Sequence, residues 1–135
     1  MSVRKGKLEY NFGLYLNADG QRVFGRDGAE ILEALEEYGS IAAAAKKLQI
    51  SYRFTWNCLA RMTRSLHQPV VVTRRGTTRY AGRKGGGGTT LTPVARVLLQ
   101  EFRETERFMQ QTLSRRENPA TTSVTVSNAN RKATP

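Results

Sequence analysis

The side chains best suited to chemistry in this 135-residue chain are ten lysines and arginines between Ser40 and Thr90, a stretch that contains no aspartate or glutamate. They are Lys46, Lys47, Arg53, Arg61, Arg64, Arg74, Arg75, Arg79, Arg83 and Lys84. The formal net charge of the chain is +11, so this one block accounts for nearly all of it. A surface of one sign attracts partners of the other sign, and a phosphate backbone is the most common partner of a basic protein. The block therefore predicts binding to nucleic acid.

The groups that usually perform catalysis or bind metals do not form a recognisable set. Cys58 is the only cysteine and His67 the only histidine, so we expect a packing role for the first and a surface or capping role for the second. The five acids of residues 27–39 are expected on the solvated face of a helix. The glycine run of residues 85–88 lacks the Gly-Lys-Ser/Thr that ends a phosphate loop. We expect no enzyme, no metal and no cofactor.

The first elements that the sequence predicts are a β-hairpin and a helix. The apolar residues that alternate with less apolar neighbours are Leu8, Tyr10, Phe12, Leu14 and Leu16. Residues 17–20 read Asn-Ala-Asp-Gly, which favours a turn, and residues 22–24 return as the second strand. Asp27 is expected to cap a helix over residues 29–38 that ends at Gly39. Its apolar side comprises Ile31, Leu32 and Leu35.

The basic block begins with the layout of a helix-turn-helix. A short helix over residues 42–48, a tight connection and a longer helix over residues 52–66, capped by Ser51, match that motif. In the longer helix we expect four residues in the core, namely Trp56, Leu59, Thr63 and Leu66. The residues expected to be exposed are Arg53, Asn57, Arg61 and Arg64. The basic face opposite the apolar one is what indicates DNA.

A wing and a long helix are predicted next. Residues 69–75 are rich in valine and predict a strand, residues 76–88 form a basic glycine-rich loop, and residues 89–91 resume an extended pattern. Thr92 and Pro93 mark the start of a helix that runs to about residue 116. Its heptad seam comprises Ala95, Leu98, Phe102, Thr105, Met109 and Thr112. The seam fits contact with a second copy, through Leu98, Phe102, Thr105 and Met109, or docking on the chain's own domain.

These elements predict an α+β, mostly helical fold: a winged helix-turn-helix with an N-terminal β-hairpin, a glycine-rich wing and a long C-terminal helix. The expected organisation is a basic arm at residues 1–7, a DNA-binding domain at 8–92, a helix for dimerisation at 93–117 and a disordered tail at 118–135. The chain has no apolar run of 18 residues and no signal core, so we expect a cytoplasmic, chromosome-associated protein without membrane contact.

Several of these segments together carry a family resemblance. They are Gly39-Ser40-Ile41, Ala45-Lys46, Ile50-Ser51-Tyr52, Trp56, Met62, Val72, Arg83-Lys84-Gly85-Gly86-Gly87-Gly88 and Leu91-Thr92. Over roughly residues 8–113 the chain resembles the N-terminal DNA-binding domain of the ModE-type molybdate-dependent transcriptional regulators, which are related to the LysR type. The resemblance implies a winged helix-turn-helix that binds double-stranded DNA. Because the oxyanion-binding region of those regulators has no counterpart here, no molybdate binding is expected.

The DNA contacts follow from this arrangement. The helix over residues 52–66 is expected in the major groove, with Ser51, Tyr52, Arg53 and Asn57 nearest the bases. Arg61 and Arg64 are expected at backbone phosphates. At the wing tip, Arg83 and Lys84 are expected to enter the minor groove, while Arg74, Arg75 and Arg79 line the phosphate track.

Three functions remain open at this stage. The first is a dimeric, site-specific transcriptional regulator without an effector domain. The second is an abundant architectural protein of the nucleoid that binds DNA with little sequence preference. The third is a protein-interaction module whose basic block binds RNA or an acidic protein. Enrichment of a pseudo-palindromic duplex would favour the first, and tight RNA binding with weak duplex binding would favour the third.

Overall fold

The computed structural model describes residues 3–6, 8–74, 88–117 and 125–127. Its elements, in chain order, are β1 (Val3–Lys5), β2 (Leu16–Ala18), β3 (Gln21–Phe24), α1 (Arg26–Tyr38), α2 (Ile41–Leu48), α3 (Tyr52–Leu66), β4 (Val71–Arg74), β5 (Gly88–Leu91), α4 (Pro93–Glu117) and β6 (Thr125–Ser127). The chain divides into two compact units, Gly13–Glu106 and a second one formed by Met1–Phe12 with Arg107–Pro135. The α+β, mostly helical class expected from the sequence is confirmed. None of the helices described is both long and apolar enough to cross a membrane.

The N-terminal hairpin is shorter than its alternating sequence predicts. β2 and β3 pair antiparallel around Asp19 and Gly20, whose φ angles of 50° and 79° give the turn that an Asp-Gly pair favours. Leu8 and Tyr10 lie outside any strand and are 60% and 65% exposed, so the expected strand over residues 8–15 is wrong. Of the alternating run, only Leu16 pairs with β3, opposite Phe24; the other residues of β2, Asn17 and Ala18, come from the predicted turn.

Helix α1 begins three residues earlier than expected. Gly25 has an extended backbone, and its carbonyl accepts the first helical hydrogen bond from the Ala29 N–H at 3.0 Å. The prediction of Asp27 as N-cap is therefore wrong; it lies in the first turn, where a carboxylate is favoured by the helix dipole. The expected end at Gly39 is confirmed, with φ at 77°. The expected apolar side is also confirmed, since Ile31, Leu32 and Leu35 are buried.

The helix-turn-helix is confirmed, with both helices capped by serine. The Ser40 Oγ accepts a hydrogen bond from the Ala43 N–H, and the Ser51 Oγ accepts one from the Phe54 N–H, both at 3.0 Å. Between the helices, Gln49 adopts a left-handed conformation with φ at 60°. These caps and the single left-handed residue fix the angle at which α3 leaves α2.

The buried face of α3 differs from the one predicted. Its buried residues are Thr55, Cys58, Leu59 and Met62. Trp56 is 52% exposed, so its predicted core position is wrong, and Thr63 and Leu66 are only half-buried. Thr55 tolerates complete burial because its hydroxyl donates to the Ser51 carbonyl at 2.9 Å. The helix is therefore rotated about its own axis, relative to the predicted orientation, by less than the angle between successive residues.

The wing strands are joined to the helix-turn-helix by backbone hydrogen bonds. β4 and β5 pair antiparallel from Val71 with Leu91 to Arg74 with Gly88. At the same end of β5, the Thr89 N–H donates to the Gly39 carbonyl at 2.7 Å. Of the predicted wing loop, residues 76–88, only Gly88 is among the described residues, and it belongs to β5; residues 75–87 lie outside them.

Helix α4 begins as predicted and then packs on the core. The Ala95 N–H donates to the Thr92 Oγ1 at 3.3 Å, which confirms Thr92 as the N-terminal cap. Phe102 is buried, and its ring centroid lies 5.3 Å from that of Phe24 at a tilt of 59°. Ala95 is also buried, and Leu98 packs at the edge of the same core. The first turns of the seam therefore dock on the chain's own domain.

In the second unit, β1 and β6 pair antiparallel, with Arg4 opposite Val126. Residues 118–135 were expected to form a disordered tail; within that segment the structure describes residues 125–127, which form strand β6. The local sequence, Val124 to Ser127, alternates valine with hydroxyl residues, and β-branched side chains favour strands.

Candidate nucleic-acid interface

The outer face of α3 carries the polar residues expected there. Arg53, Asn57 and Arg64 are exposed and follow one another at spacings of four and seven residues, which aligns them along one side of the helix. Also exposed are Ser51, Tyr52 and Arg61. The buried residues of α3 occupy the opposite side. Helix α3 thus presents a continuous polar and basic row to solvent.

No carboxylate approaches this row from its own segment. Residues 40–74 and 88–92 contain no aspartate or glutamate. The lysines and arginines of these two segments take part in none of the ion pairs in the described part of the chain. Lys46 and Lys47 of α2 and Arg74 at the end of β4 are exposed as well. Uncompensated positive charge of this kind suits phosphate oxygens.

The acidic face of α1 is instead paired with bases of α4. Arg103 bonds both Glu33 and Glu106, Arg96 bonds Glu36 at 3.2 Å, and Arg26 bonds Glu106 at 3.0 Å. The hydrogen bond to Glu33 is the main cause that raises the pKa of Arg103. Burial acts to raise the pKa of Glu106, but hydrogen bonds from Arg103 and Arg26 outweigh it and hold that pKa below its ordinary value. Arg96 and Arg103 of α4 are thereby neutralised, while the bases of α3 take part in none of these ion pairs.

A cavity of about 230 Å³ lies beside α3 on the side of the β2–β3 hairpin. Its charged lining comprises Arg22, Arg26 and Arg61 together with one carboxylate, Asp27. The Arg22 guanidinium stacks on the Tyr15 ring, 3.7 Å from the ring centroid, which holds the arginine in place. Sequence reasoning missed Arg22 because it precedes the acid-free block. Its spacing after the Asp-Gly turn is the signal that could have identified it.

Cys58 borders the same cavity but is mostly buried. Burial raises the pKa of the Cys58 thiol; the nearby Arg61 lowers it in part, and Asp27 raises it. The Arg61 Nη2 lies 3.8 Å from the Cys58 sulfur. A buried thiol with a raised pKa is a packing residue, as expected from the sequence.

A second cavity of about 280 Å³ lies on the opposite side of α3, next to the wing. Its lining is mostly apolar and comprises Ile41, Trp56, Leu59, Ala60, Thr63, Arg64, Val71 and Thr73. The half-exposed indole of Trp56 stands on the same outer surface as the basic row. This aromatic side chain was expected in the core and is instead part of the candidate interface.

Not every predicted site residue can be located. Arg75, Arg79, Arg83 and Lys84 lie outside the described residues. Of the residues predicted for dimerisation, Phe102 is occupied by its own core, Leu98 is half-buried at the core edge, Thr105 is exposed and Met109 is half-buried. Within the described part of the chain, no group of three His, Cys, Asp or Glu residues could hold a metal ion.

A capped helix-turn-helix followed by a two-stranded wing defines a winged-helix domain, and solved structures agree. The chain superposes on the DNA-binding domain of CbnR, solved in complex with DNA, with a TM-score of 0.51, covering 70% of this chain and 95% of that one. A variant of Lactococcus lactis ZitR gives a TM-score of 0.53, covering 93% and 77%. Both are 19% identical in sequence, so the likeness establishes the fold alone.

Sequence relatives narrow the class. No family model matches the chain. Over 85 residues it is 38% identical to the molybdenum transport protein ModE of Azotobacter vinelandii. This match covers 63% of the present chain and 29% of that protein. It is 33% identical over 102 residues to the molybdenum-pterin-binding protein MopB of Rhodobacter capsulatus, covering 76% and 35%. The transcriptional regulator ModE of Haemophilus influenzae is 36% identical over 80 residues, covering 59% and 29%.

The chain spans about a third of the length of these curated relatives. The resemblance to ModE-type regulators is confirmed as a similarity of the winged-helix region.

Proposed function

We propose that this chain binds double-stranded DNA as a transcriptional regulator, with α3 in the major groove and the wing on the backbone or in the minor groove. The observation that carries the proposal is the exposed row of Arg53, Asn57 and Arg64 on the second helix of a helix-turn-helix, without a carboxylate in its segment. Relatives named as a transcriptional regulator and a solved fold neighbour in complex with DNA support it.

The residues at the start of α3 are proposed to contact bases. In helix-turn-helix proteins the first turns of the second helix lie deepest in the groove. There, Arg53 can donate two hydrogen bonds to guanine, at O6 and N7, whereas Asn57 can accept one from adenine N6 and donate one to adenine N7. Ser51 and Tyr52 complete this set. Since the Ser51 Oγ already accepts a hydrogen bond from the Phe54 N–H, its remaining capacity suits a phosphate or a base edge.

Phosphate contacts are proposed further along α3 and in the wing. Arg61 and Arg64 follow the base-contacting turns, and Arg74 ends β4 at the base of the wing. The wing bases proposed for the backbone and minor groove are Arg75, Arg79, Arg83 and Lys84. These contacts carry little sequence information and mainly fix the register of the protein on the duplex.

We further propose a homodimer through α4, which would present two copies of α3 to half-sites one helical turn apart. Thr105 and Met109 are the seam residues available for this contact, because Phe102 and Ala95 are occupied by the chain's own core. Leu98 would contribute only at the edge of that core.

A second candidate is an architectural protein of the nucleoid. More lysine and arginine side chains are proposed to contact phosphates than to contact the edges of nucleobases. This favours binding through charge with little sequence preference. In this case the same face of α3 would lie on DNA without selecting a site.

In vitro selection from a random duplex pool, at near-physiological salt, tests both candidates. Enrichment of a pseudo-palindromic motif is the expected result for a dimeric regulator, and the double variant R53A/N57A should lose it. The control is Arg96→Ala, which also removes one positive charge. Because Arg96 lies on α4 and is paired with Glu36, this variant should leave the motif unchanged. A bound pool without a motif would support the architectural candidate, and no bound pool would refute DNA binding.

A further inference from the structure

Trp56 is the largest apolar side chain on the outer surface of α3, and 52% of it is exposed. An indole buries a large apolar area when it finds a partner, so leaving it exposed forfeits a substantial stabilisation of the folded chain. We infer that Trp56 is a specificity-determining residue that packs against the 5-methyl group of thymine in the major groove. The inference rests on the proposed function and deepens it.

The position of Trp56 on α3 fits this role. Tyr52 precedes it and Ala60 follows it by four residues, so the three lie in one row along the helix. This row runs beside the row of Arg53 and Asn57, which are also spaced by four. Base-contacting side chains of a recognition helix must come from adjacent rows at its N-terminal end, because only that end lies deep in the groove.

The cavity next to Trp56 supplies the apolar surroundings that a methyl group requires. Ile41, Leu59, Ala60 and Val71 line it, together with the aliphatic part of Thr63 and Thr73. Thymine is the base that presents a methyl group in the major groove, and apolar side chains are its usual partners. The apolar side of the interface thus has a chemical counterpart on DNA.

Charge selects DNA over an apolar peptide as the occupant of this groove. The ionisable side chain in the lining is Arg64, and the described residues around it, 40–74 and 88–92, contain no acid. A polyanion that carries methyl groups along its surface satisfies the basic rim and the apolar centre together. An isologous contact with the same face of a second copy would instead bring like charges together.

The first test exchanges thymine for deoxyuridine, which removes only the 5-methyl group. Each thymine of the best-bound duplex from the selection is replaced in turn, and the dissociation constant is measured for the wild-type protein and for Trp56→Ala. At one position in each half-site the exchange should weaken wild-type binding about fourfold, the effect of one buried methyl group. The same exchange should leave binding by Trp56→Ala unchanged.

Phe54→Ala is the matched control. Phe54 is an equally exposed aromatic residue of α3, 49% exposed, but it lines the cavity on the hairpin side. Binding by this variant should still fall about fourfold at the thymine that responds in the wild type. A thymine whose methyl group matters equally with and without Trp56 would overturn the inference.

The second test needs no substitution, because Trp56 is the only tryptophan of the chain. Its fluorescence should be quenched readily by acrylamide in the free protein and should become protected when the duplex is added. Protection that depends on protein concentration without DNA would indicate contact between copies and would overturn the inference. Duplex binding without protection would overturn it too and leave the proposed function intact, whereas no duplex binding would refute both.

Discussion

Arg53 and Arg64 carry the same charge on the same helix but differ in their distance from its N-terminus. Arg53 lies in the first turn of α3, and Arg64 lies in the last. Both are exposed, and neither takes part in an ion pair of the described chain. Their expected roles therefore differ by position alone, since the first turn approaches base edges and the last approaches the backbone.

Arg53→Ala should weaken binding to the selected site by about 1–3 kcal/mol and relax base preference at one position. Arg64→Ala should weaken binding to all duplexes alike and reduce the slope of log K against log salt by about one. Titrations of the selected duplex and a scrambled duplex at several salt concentrations measure both effects. Arg96→Ala serves as the control, because Arg96 lies on α4 and is paired with Glu36 of α1. Equal losses for Arg53→Ala on both duplexes would contradict base contact.

At the scale of elements, the sequence was sufficient where local signals act and insufficient where packing decides. Ser40, Ser51 and Thr92 are caps whose hydrogen bonds form within three residues, and the caps at Ser51 and Thr92 were predicted from the sequence. The orientation of α3 about its axis was not predictable, because the predicted and the observed buried faces differ by less than the angle between successive helical residues. The pattern of apolar residues cannot distinguish two such faces when the buried one contains a threonine whose hydroxyl is hydrogen-bonded within the helix.

The start of α1 also depends on tertiary contact, through Gly28. A Cβ atom on Gly28 would lie 2.4 Å from the Phe24 Cβ and 2.9 Å from the Met62 Cε, so β3 and α3 approach the helix closely here. No helix propensity could predict this, since glycine is a poor helix former. Much of the candidate site was predictable from its charges, whereas Arg22 and Trp56 required the fold.

Gly28→Ala should destabilise the domain, although alanine favours a helix by about 1 kcal/mol over glycine. The clash with Phe24 should outweigh that gain and leave a net loss of about 1–2 kcal/mol, as in other overpacked cores. Urea unfolding followed by circular dichroism measures the change. Gly6→Ala is the control, because a Cβ atom there meets nothing within 4 Å. A stabilised Gly28→Ala variant would mean that α1 and β3 can move apart freely.

The ion pairs between α1 and α4 should make stability depend on pH. Because the pKa of Glu106 is lowered in the folded chain, its stabilising contribution is present above the unfolded value of 4.5 and is lost as pH falls through the folded value. Glu106→Gln should therefore cost about 1 kcal/mol near pH 7 and much less near pH 3. Unfolding free energies at both pH values measure this difference. The control is Glu101→Gln, which removes an exposed carboxylate of α4 that takes part in none of the ion pairs described above.

For the whole molecule, the segregation of charge predicts steep salt dependence. If six to ten phosphates are contacted, affinity for duplex DNA should fall about 10³- to 10⁵-fold between 50 and 200 mM salt. Arg22→Ala and Arg61→Ala, which change the cavity beside the hairpin, should each reduce the slope by about one if phosphate lies there. Fluorescence anisotropy at four or five salt concentrations measures the slope. A slope near zero would exclude binding through phosphates.

The hydrogen bonds at the root of the wing have a consequence for how this domain can diversify. The Thr89 N–H bonds the Gly39 carbonyl, and Thr92 bonds the backbone of Val70 and Pro69. Arg74 and Gly88 close the ladder between them. Because these bonds involve only the ends of the two wing strands, a change in the number of residues between Arg74 and Gly88 need not alter them. We therefore expect the domain to tolerate wings of different length and sequence while α3 keeps its place.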